Sequence, residues 1–499
     1  MFLSKNISIF IKKYHKNTFK KYIRFISGNM EEWKPTIGLE IHAQISTKSK
    51  LFSGAPTNFN NPINSCVSLF DCAIPGTMPV KYNKYFRKAG FQITQQKKPL
   101  AINGKIKFNV FKTGVHKQPY SKSSKIKQIQ LEQDSGKSLH NERVGRSLID
   151  LNRAGIPLME LVFEPDLTSG EEAAALVKEL CFILQLLGTC SCKMEDFFIF
   201  TEGALRVDAN VSISKPNAPL GIRTELKNIS SLSAINHAIE YEIKRQISIL
   251  QKGGEVINET RAWDPLSKKT VLMREKEEKH DYRFMPEPNL PPLHLYVNRN
   301  VQNTYNLIDI PSLKEQLPEL PEQIRQNLLK SLTPDTLAAI TSNLEWYLLF
   351  CDILKNGNHR EPQLVAKIFI SEILSLLDKY NLDFTFCINN QKYIEELIDL
   401  IQVKIINQPT FKKLLNELLN KPNKMPKQIV EENNWFIISD EKELEMICLE
   451  ILKTNPNLVK QYKAGRKKVF KKFLHKTFLL TEQRADMAKT SKIITRLLS

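Results

Sequence analysis

The stretch IGLEIHAQI, residues 37–45, alternates between apolar and polar side chains. Successive side chains of a β-strand point to opposite faces of the sheet. Glu40, His42 and Gln44 therefore share one face, and the leucine and isoleucines share the other. The pattern predicts a strand with one face in a hydrophobic core and with a carboxylate and an imidazole on its other face.

Three further stretches alternate in the same way. They are IQLEQD (129–134), LRVDANVSI (205–213) and IRTELK (222–227), with polar positions at Gln130, Glu132 and Asp134, at Arg206, Asp208, Asn210 and Ser212, and at Arg223, Glu225 and Lys227. Four such strands predict an antiparallel sheet with one apolar face covered by helices. The expected fold class is α+β.

Two helices are predicted to provide that cover. The first begins at Thr168-Ser169, where acidic residues follow three positions later as in a capping box, and it ends at Gly188. The second runs from about Ser233 to Gly253-Gly254. From residue 293 onward helical periodicity dominates.

The polar face of the sheet has two interpretations. It is either a solvated surface or a site for chemistry. Glu40, His42 and Glu132 offer oxygen and imidazole ligands that suit Mg²⁺ or Mn²⁺. Basic side chains on the same strands suit the phosphates of a substrate, with Arg206, Arg223 and Lys227 as candidates. The recurrence of carboxylates favours a metal and phosphate site.

Several common enzyme motifs are missing. The run DSGKS (134–138) resembles the end of a Walker A loop, but the first glycine of that motif would fall on Leu131. Gly136 is expected to end a strand, and Lys137 remains a candidate anion contact. No H-E-x-x-H, G-x-S-x-G or G-x-G-x-x-G occurs, so a zinc protease, an α/β-hydrolase and a dinucleotide enzyme are unsupported.

Composition points to a polyanionic partner. The chain has 499 residues, a formal net charge of +19 and no long apolar run, so we expect no membrane insertion. Residues 1–30 contain six lysines and one arginine but no acidic residue, which is typical of an organelle-targeting segment; the alternative is a basic RNA-binding tail. The eight cysteines are scattered and form no C-x-x-C pair, so reduced thiols are expected.

Long strings of this sequence resemble one family. They include IGLEIHAQISTKSKLFSGAP (37–56), DLNRAGIPLMELVFEPDLTSGEEAAALVKEL (150–180), EGALRVDANVSI (202–213) and DYRFMPEPNLPPL (281–293). On these strings the chain resembles the GatB family, the B subunits of heterotrimeric glutamyl-tRNA(Gln) amidotransferases. Together with the basic leader, the resemblance implies a mitochondrial matrix protein with amidotransferase subunits A and C as partners.

The resemblance also implies an architecture. Residues 1–30 would be the targeting segment and 31–292 a catalytic cradle like that of glutamine synthetase and guanido kinases. Residues 293–345 would be a helical linker region, and 346–499 a helical, YqeY-like tail that binds tRNA. Residues 457–499 contain 12 Lys and Arg against two acids. The candidate tRNA contacts are Lys463, Arg466, Lys467, Lys468, Lys471 and Lys472.

The implied activity uses ATP and Mg²⁺. The γ-carboxylate of glutamate misattached to tRNA(Gln) is phosphorylated, and ammonia derived from glutamine then displaces the phosphate. By resemblance, Glu40, His42 and Glu132 are the metal ligands and, with Asp134, the catalytic residues. ATP would contact Lys137, Arg206, Arg223 and Lys227. Further pocket candidates are Asn152, Arg153, Glu160, Glu164, Asp208 and Asn210.

The sequence departs from the family pattern at three places. The bridge over residues 81–91 is short, residues 196–201 interrupt a normally continuous string, and residues 475–481 replace a glycine-containing tail segment. The short bridge leaves open an alternative function, a non-catalytic RNA-binding scaffold of the same complex. The basic tail argues against a third possibility, a stand-alone ligase for a small acid.

Overall fold

The computed structural model describes residues 33–73, 89–93, 95, 97–111, 119–141, 146–194, 203–275, 281–285, 293–357, 359–420 and 424–498. The predicted targeting segment, most of the short bridge and the insert at 196–201 lie outside these residues. The chain divides into two units, one up to Glu322 and one from Gln323 onward.

The first unit contains the strands. Their bounds are β1 Lys34–Gln44, β2 Ala89–Ile93, β3 Ala101–Val110, β4 Tyr120–Gln133, β5 Lys137–Asn141, β6 Arg146–Asp150, β7 Pro157–Phe163, β8 Leu205–Ser214, β9 Thr224–Lys227, β10 Glu259–Asp264, β11 Lys269–Glu275, β12 Asp281–Met285, β13 Leu295–Tyr296 and β14 Ile308–Asp309. Eight of them form a sheet in the order β11-β10-β9-β8-β1-β7-β4-β3.

Within this sheet, the neighbouring pairs are antiparallel except β9 and β10, which are parallel. The structure thus confirms a mixed α and β fold with an antiparallel-dominated sheet. All four predicted strands are present, although β4 begins nine residues before Ile129 and β9 begins at Thr224. The smaller pairs are β5 with β6, β2 with β12 and β13 with β14.

Three helices accompany the strands up to residue 275: α1 Leu69–Ala73, α2 Gly170–Leu186 and α3 Leu232–Gln251. Helix α2 begins as predicted, because the Ser169 side chain accepts a hydrogen bond from the backbone N–H of Glu172. Ser231 caps α3 in the same way. Gly188 and Gly253, both with positive φ, follow the two helix ends.

One apolar face of the sheet packs under α2 and α3. The core includes Ile37, Leu39 and Ile41 from β1, together with Leu176 from α2 and Ile239 from α3, and each of these side chains is at most 1% exposed. The face predicted to be apolar is therefore buried. The polar face of β1 lies on the opposite side of the sheet.

The helices from residue 310 onward are α4 Ile310–Glu315, α5 Pro321–Leu328, α6 Pro334–Ile340, α7 Leu344–Asn356, α8 Pro362–Ile368, α9 Leu374–Tyr380, α10 Thr385–Asn389, α11 Gln391–Gln402, α12 Gln408–Asn420, α13 Pro426–Asn433, α14 Glu441–Thr454, α15 Pro456–Lys463, α16 Phe470–Leu480 and α17 Met487–Leu498. A π-helical turn, Phe369–Ile373, joins α8 to α9. Two hydrophobic cores stabilise the second unit, one over residues 332–430 and one over residues 444–498.

One expectation needs correction. The region 293–345 is not entirely helical, because it contains the short parallel pair β13–β14.

The eight cysteines are free thiols, as expected. Among the described helices, none alone is long and apolar enough to span a membrane; α6 and α7 together pass that test, but a bend of 111° separates them.

Candidate metal and phosphate site on the sheet

Strand register brings the polar side chains of four strands into rows. His42 on β1 lies opposite Glu160 on β7 and opposite Arg206 on β8. Glu40 lies opposite Asp208 on β8. Directly opposite residues in a sheet have Cβ atoms about 4.5–5.5 Å apart, so their side chains interact. The predicted polar face is a continuous array of acidic and basic groups.

Three of these side chains form a potential cation site. Glu40, His42 and Glu160 each offer one ligand atom, and these atoms all lie within 4.8 Å of one another. The Glu40 Oε1 to His42 Nε2 distance is 3.9 Å. Two carboxylates and an imidazole are a ligand set suited to Mg²⁺ or Mn²⁺.

Glu160 is the buried member of the group, only 6% exposed. Burial raises the pKa of its carboxyl well above the ordinary value, and the neighbouring carboxylates Glu40 and Glu132 raise it further. Such a concentration of carboxylates in a buried place favours either a shared proton or a cation. The residues present therefore fit a divalent metal ion.

Glu132 lies on the other side of the same imidazole. Its Oε2 is 3.8 Å from Nδ1 of His42, and the side chain is 7% exposed. Glu40 and Glu132 thus lie at opposite ring nitrogens of His42, and Glu132 is outside the three-ligand group. The group instead contains Glu160, which the family resemblance indicates only as one of the wider pocket residues.

A glutamine connects the two buried carboxylates. Nε2 of Gln130 donates to Glu132 Oε1 at 3.0 Å and to Glu160 Oε2 at 2.6 Å. The alternation of residues 129–134 predicts Gln130 on this face but indicates no role for it. A glutamine on a polar strand face is ordinary, and only the register with β7 shows what it contacts.

Asp134 is not part of the three-ligand group in the described structure. It follows the end of β4 and accepts two hydrogen bonds from the guanidinium of Arg206, at 3.1 and 2.5 Å. Nε of Arg153 lies 3.3 Å from the same carboxylate. The geometry therefore pairs Asp134 with two arginines and leaves the cluster around His42 to Glu40, Glu132 and Glu160.

Lys227 lies beside two acidic residues. Its Nζ contacts the carboxylate of Asp208 and lies 3.4 Å from Glu225 Oε1. Burial lowers the pKa of Lys227, but the negative charges of Asp208 and Glu225 outweigh burial, and the pKa is raised overall. Lys227 is thus a fixed cation on the polar face.

The other candidates are placed differently. Lys137, at the start of β5, and Arg223, just before β9, are both exposed. Asn152 has a role in the local loop, because its side chain accepts from the backbone N–H of Cys66 and donates to the carbonyl of Pro62. The structure thus leaves Asn152 as a loop contact.

The predicted tRNA contacts cluster in the second unit. All six are exposed. Lys463 ends α15, Arg466 precedes the short 3₁₀ turn Lys467–Val469, and Lys467 and Lys468 are in that turn. Lys471 and Lys472 are in the first turn of α16. Six cations within ten residues form a compact basic surface.

Comparison with known families gives two matches. Residues 35–89 and 81–300 match the GatB/GatE catalytic domain, and residues 348–498 match the GatB domain. The two parts of the first match overlap at residues 81–89, within the short bridge of residues 81–91.

Curated relatives match over nearly the full chain. The B subunit of the mitochondrial glutamyl-tRNA(Gln) amidotransferase of Aedes aegypti is 45% identical, covering 93% of each chain. The corresponding human protein is 39% identical, over 94% of this chain and 89% of its own. The B subunit of the aspartyl/glutamyl-tRNA(Asn/Gln) amidotransferase of Rickettsia canadensis (strain McKiel) is 36% identical, over 94% of this chain and 98% of its own.

Proposed function

The chain belongs to the GatB family, and from this premise we propose that it is the B subunit of a mitochondrial tRNA-dependent amidotransferase, which converts Glu-tRNA(Gln) to Gln-tRNA(Gln). The relatives named above support this function over almost their entire length. The observation that carries the catalytic part is the group Glu40, His42 and Glu160 on the polar face of the sheet.

The proposed reaction has two steps. An oxygen of the glutamyl γ-carboxylate attacks the γ-phosphorus of ATP, and ADP leaves. Ammonia then attacks the acyl carbon, phosphate leaves with the electrons of the broken C–O bond, and loss of a proton gives the amide. A carboxylate needs such activation because its oxygen is otherwise a poor leaving group.

A bound Mg²⁺ would neutralise charge on the transferring phosphoryl group. Glu40, His42 and Glu160 are the residues that would bind it, with Glu132 next to the imidazole. Fixed dipoles and charges in such a site stabilise the charge of the transition state without having to reorient during the reaction. The chain contributes to catalysis chiefly by holding the reacting groups in position.

Two cations of the sheet are suited to the phosphates of ATP. Arg206 lies beside His42 in the strand register, and Lys227 lies beside Asp208, the residue opposite Glu40. Carboxylates hold both side chains in place, so nucleotide binding does not have to order them. Lys137 and Arg223, which are exposed, are further candidates for the nucleotide.

The partners follow from the family and from charge. We propose subunits A and C as partners, with ammonia supplied by glutamine hydrolysis in A, and a mitochondrial matrix location. The activity would be that of an ATP-dependent, glutamine-hydrolysing carbon–nitrogen ligase. We also propose that the sheet unit has the cradle fold related to glutamine synthetase and guanido kinases, and that the basic surface of α15 and α16 binds tRNA.

The scaffold alternative rests on the short bridge at 81–91, most of which lies outside the described residues. No observation favours it. The acidic and imidazole groups that chemistry requires are present and adjacent, so the catalytic role is the better-supported proposal.

The test is His42→Ala in the reconstituted three-subunit complex. ATP-dependent transamidation of Glu-tRNA(Gln) should be lost, whereas hydrolysis of glutamine by the complex should persist. His237→Ala is a matched control, because His237 is exposed on α3. Transamidation that survives His42→Ala would overturn the assignment of the site.

A further inference from the structure

Gln130 lies where two buried carboxylates meet. It is 4% exposed, and its neighbours Glu132 and Glu160 are each 6% exposed. The two carboxylates come from different strands, β4 and β7, and Gln130 is directly opposite Glu160 in the register. The side-chain amide of Gln130 therefore contacts one carboxylate on its own strand, Glu132, and one on the neighbouring strand β7, Glu160.

The two N–H groups of this amide are divided between the carboxylates. Nε2 donates to Glu160 Oε2 at 2.6 Å and to Glu132 Oε1 at 3.0 Å. Oε1 of Gln130 accepts from Nε2 of Gln128 at 2.6 Å. The opposite orientation of the amide would put an oxygen against two carboxylate oxygens, so the neighbours fix its direction.

One oxygen of each carboxylate accepts a hydrogen bond from the amide, and these two bonds fix the orientation of both carboxylates. Oε1 of Glu132 contacts Gln130, and it is Oε2 that lies 3.8 Å from Nδ1 of His42. Glu160 contributes a carboxylate oxygen to the group with Glu40 and His42 while its Oε2 contacts the same amide. The amide thus sets how the two carboxylates face the imidazole.

A glutamine suits this position for a reason of charge. It supplies two donors without a positive charge that would compete with a cation, and without a negative charge that would add to the repulsion. Lysine would neutralise the carboxylates, and glutamate could donate only when protonated. An aliphatic residue would leave two buried carboxylate oxygens without these hydrogen bonds.

We propose that Gln130 is a positioning residue for a divalent cation, which fixes the carboxylates of Glu132 and Glu160 at the spacing and orientation that the site needs. The inference rests on the proposed function, because it assumes that a hard divalent cation such as Mg²⁺ occupies the group around His42. Gln130 itself does not touch the cation or the substrate. Its effect passes through the two carboxylates.

The experiment measures binding of Mn²⁺ alone to the reconstituted complex, from the electron paramagnetic resonance signal of free Mn²⁺, without ATP or tRNA. Gln130→Met should weaken Mn²⁺ binding by about 10–100-fold, the usual effect of removing a partner of a metal ligand. Gln130→Asn, one methylene shorter, should keep only one of the two hydrogen bonds and weaken binding less. Gln251→Met makes the same chemical change at an exposed position of α3 and should leave binding unchanged.

A second readout separates positioning from a merely structural role. The Mg²⁺ concentration for half-maximal ATP cleavage should rise by the same factor in Gln130→Met, and cleavage should recover at saturating Mg²⁺. Glutaminase activity should remain near the wild-type value, which shows that the variant complex still assembles.

The outcomes are distinct. Wild-type affinity in Gln130→Met would overturn the positioning role, as would failure of both Gln130 variants to assemble, because Gln130 would then be a folding residue. Wild-type Mn²⁺ affinity in His42→Ala would instead contradict the proposed metal site itself. A loss of binding in both His42→Ala and Gln130→Met, with Gln251→Met unchanged, would support the proposal.

Discussion

Arg206 and Asp134 form a two-point contact across the polar face of the sheet, with Nη1–Oδ1 at 3.1 Å and Nη2–Oδ2 at 2.5 Å. Arg206 lies on β8 and Asp134 follows β4, and strands β1 and β7 lie between these two strands. The contact between these two side chains therefore connects elements on either side of β1 and β7, the strands that carry Glu40, His42 and Glu160. A planar guanidinium bound at both nitrogens has little freedom to rotate.

This pairing predicts the effect of Asp134→Asn. The amide replaces a charged acceptor, so Arg206 loses its fixed direction and the KM for ATP should rise about 10–100-fold, as expected for a charge-assisted hydrogen bond of about 1.5–3 kcal/mol. Steady-state ATP cleavage by the complex measures the change. Arg206→Lys should have a similar effect, because an ammonium cannot bind both oxygens in the same plane. Unchanged KM values in both variants would show that Arg206 is not a nucleotide contact.

A second prediction concerns the buried ion pair between Lys50, in the segment after β1, and Asp71, in α1. Nζ of Lys50 lies 3.3 Å from Asp71 Oδ2, and the two side chains are 0% and 1% exposed. Removing one partner leaves a buried charge without compensation, so Asp71→Asn should lower the free energy of unfolding by about 3–5 kcal/mol. Denaturant unfolding of the full chain measures the loss.

The double variant Lys50→Met with Asp71→Asn is the matched control for that prediction. It removes the remaining charge and should recover part of the stability. If the double variant loses as much unfolding free energy as the single variants Lys50→Met and Asp71→Asn together, the two residues act independently. The ion pair is then not the cause of the lost stability.

The third prediction is a pH dependence at the start of α2. Burial raises the pKa of Glu172, but hydrogen bonds from Lys122 and Thr168 outweigh burial, and the pKa lies below its ordinary value. A carboxyl with a lowered pKa in the folded state stabilises the fold above its unfolded pKa, and this contribution disappears as the pH falls through the folded value. Glu172→Gln should therefore destabilise the fold at pH 7 by about 1–3 kcal/mol, and the difference from wild type should shrink below about pH 4. Unfolding curves between about pH 3 and pH 8 test this; a difference independent of pH would contradict it.

The fourth prediction concerns the basic surface of α15 and α16. Changing Lys467, Lys468, Lys471 and Lys472 to glutamine should weaken tRNA binding by the complex, because each phosphate contact releases counterions. The slope of log affinity against log salt concentration should fall by roughly 0.7–0.9 for each phosphate that the variant no longer neutralises. Exposed Lys252 and Lys268, in the sheet unit, are controls of the same residue type. A weaker affinity with an unchanged salt slope would show that the lysines act through folding and not through phosphates.

Local pattern was sufficient for some elements of the fold. Strand β1 and helices α2 and α3 could be predicted because alternation and capping residues are properties of neighbouring positions. Glu160 could not be assigned in this way, because the strand PLMELVF (157–163) is a nearly continuous apolar run with one acidic residue. Its place beside His42 depends on how β7 pairs with β1, which no local pattern specifies.

The ion-pair partners of charged residues are likewise not specified by local sequence. Asp134 is expected to be a catalytic residue by resemblance to the family, and Arg206 is predicted as a phosphate contact from the polar side of its own strand. Their mutual contact depends on the order of four strands in the sheet. Elements could thus be predicted from the sequence, but the partners of the charged side chains required the three-dimensional arrangement.

The position of β1 has a consequence for how the protein acquires its structure. Glu40 pairs with Asp208, which lies 168 residues later in the chain. As long as β8 has not paired with it, β1 has an open edge and an apolar face, and such an edge is prone to aggregation. A polypeptide that ends before residue 205 has the first strand of its sheet but no β8 to close that edge, so premature termination should yield insoluble fragments and not a smaller folded domain.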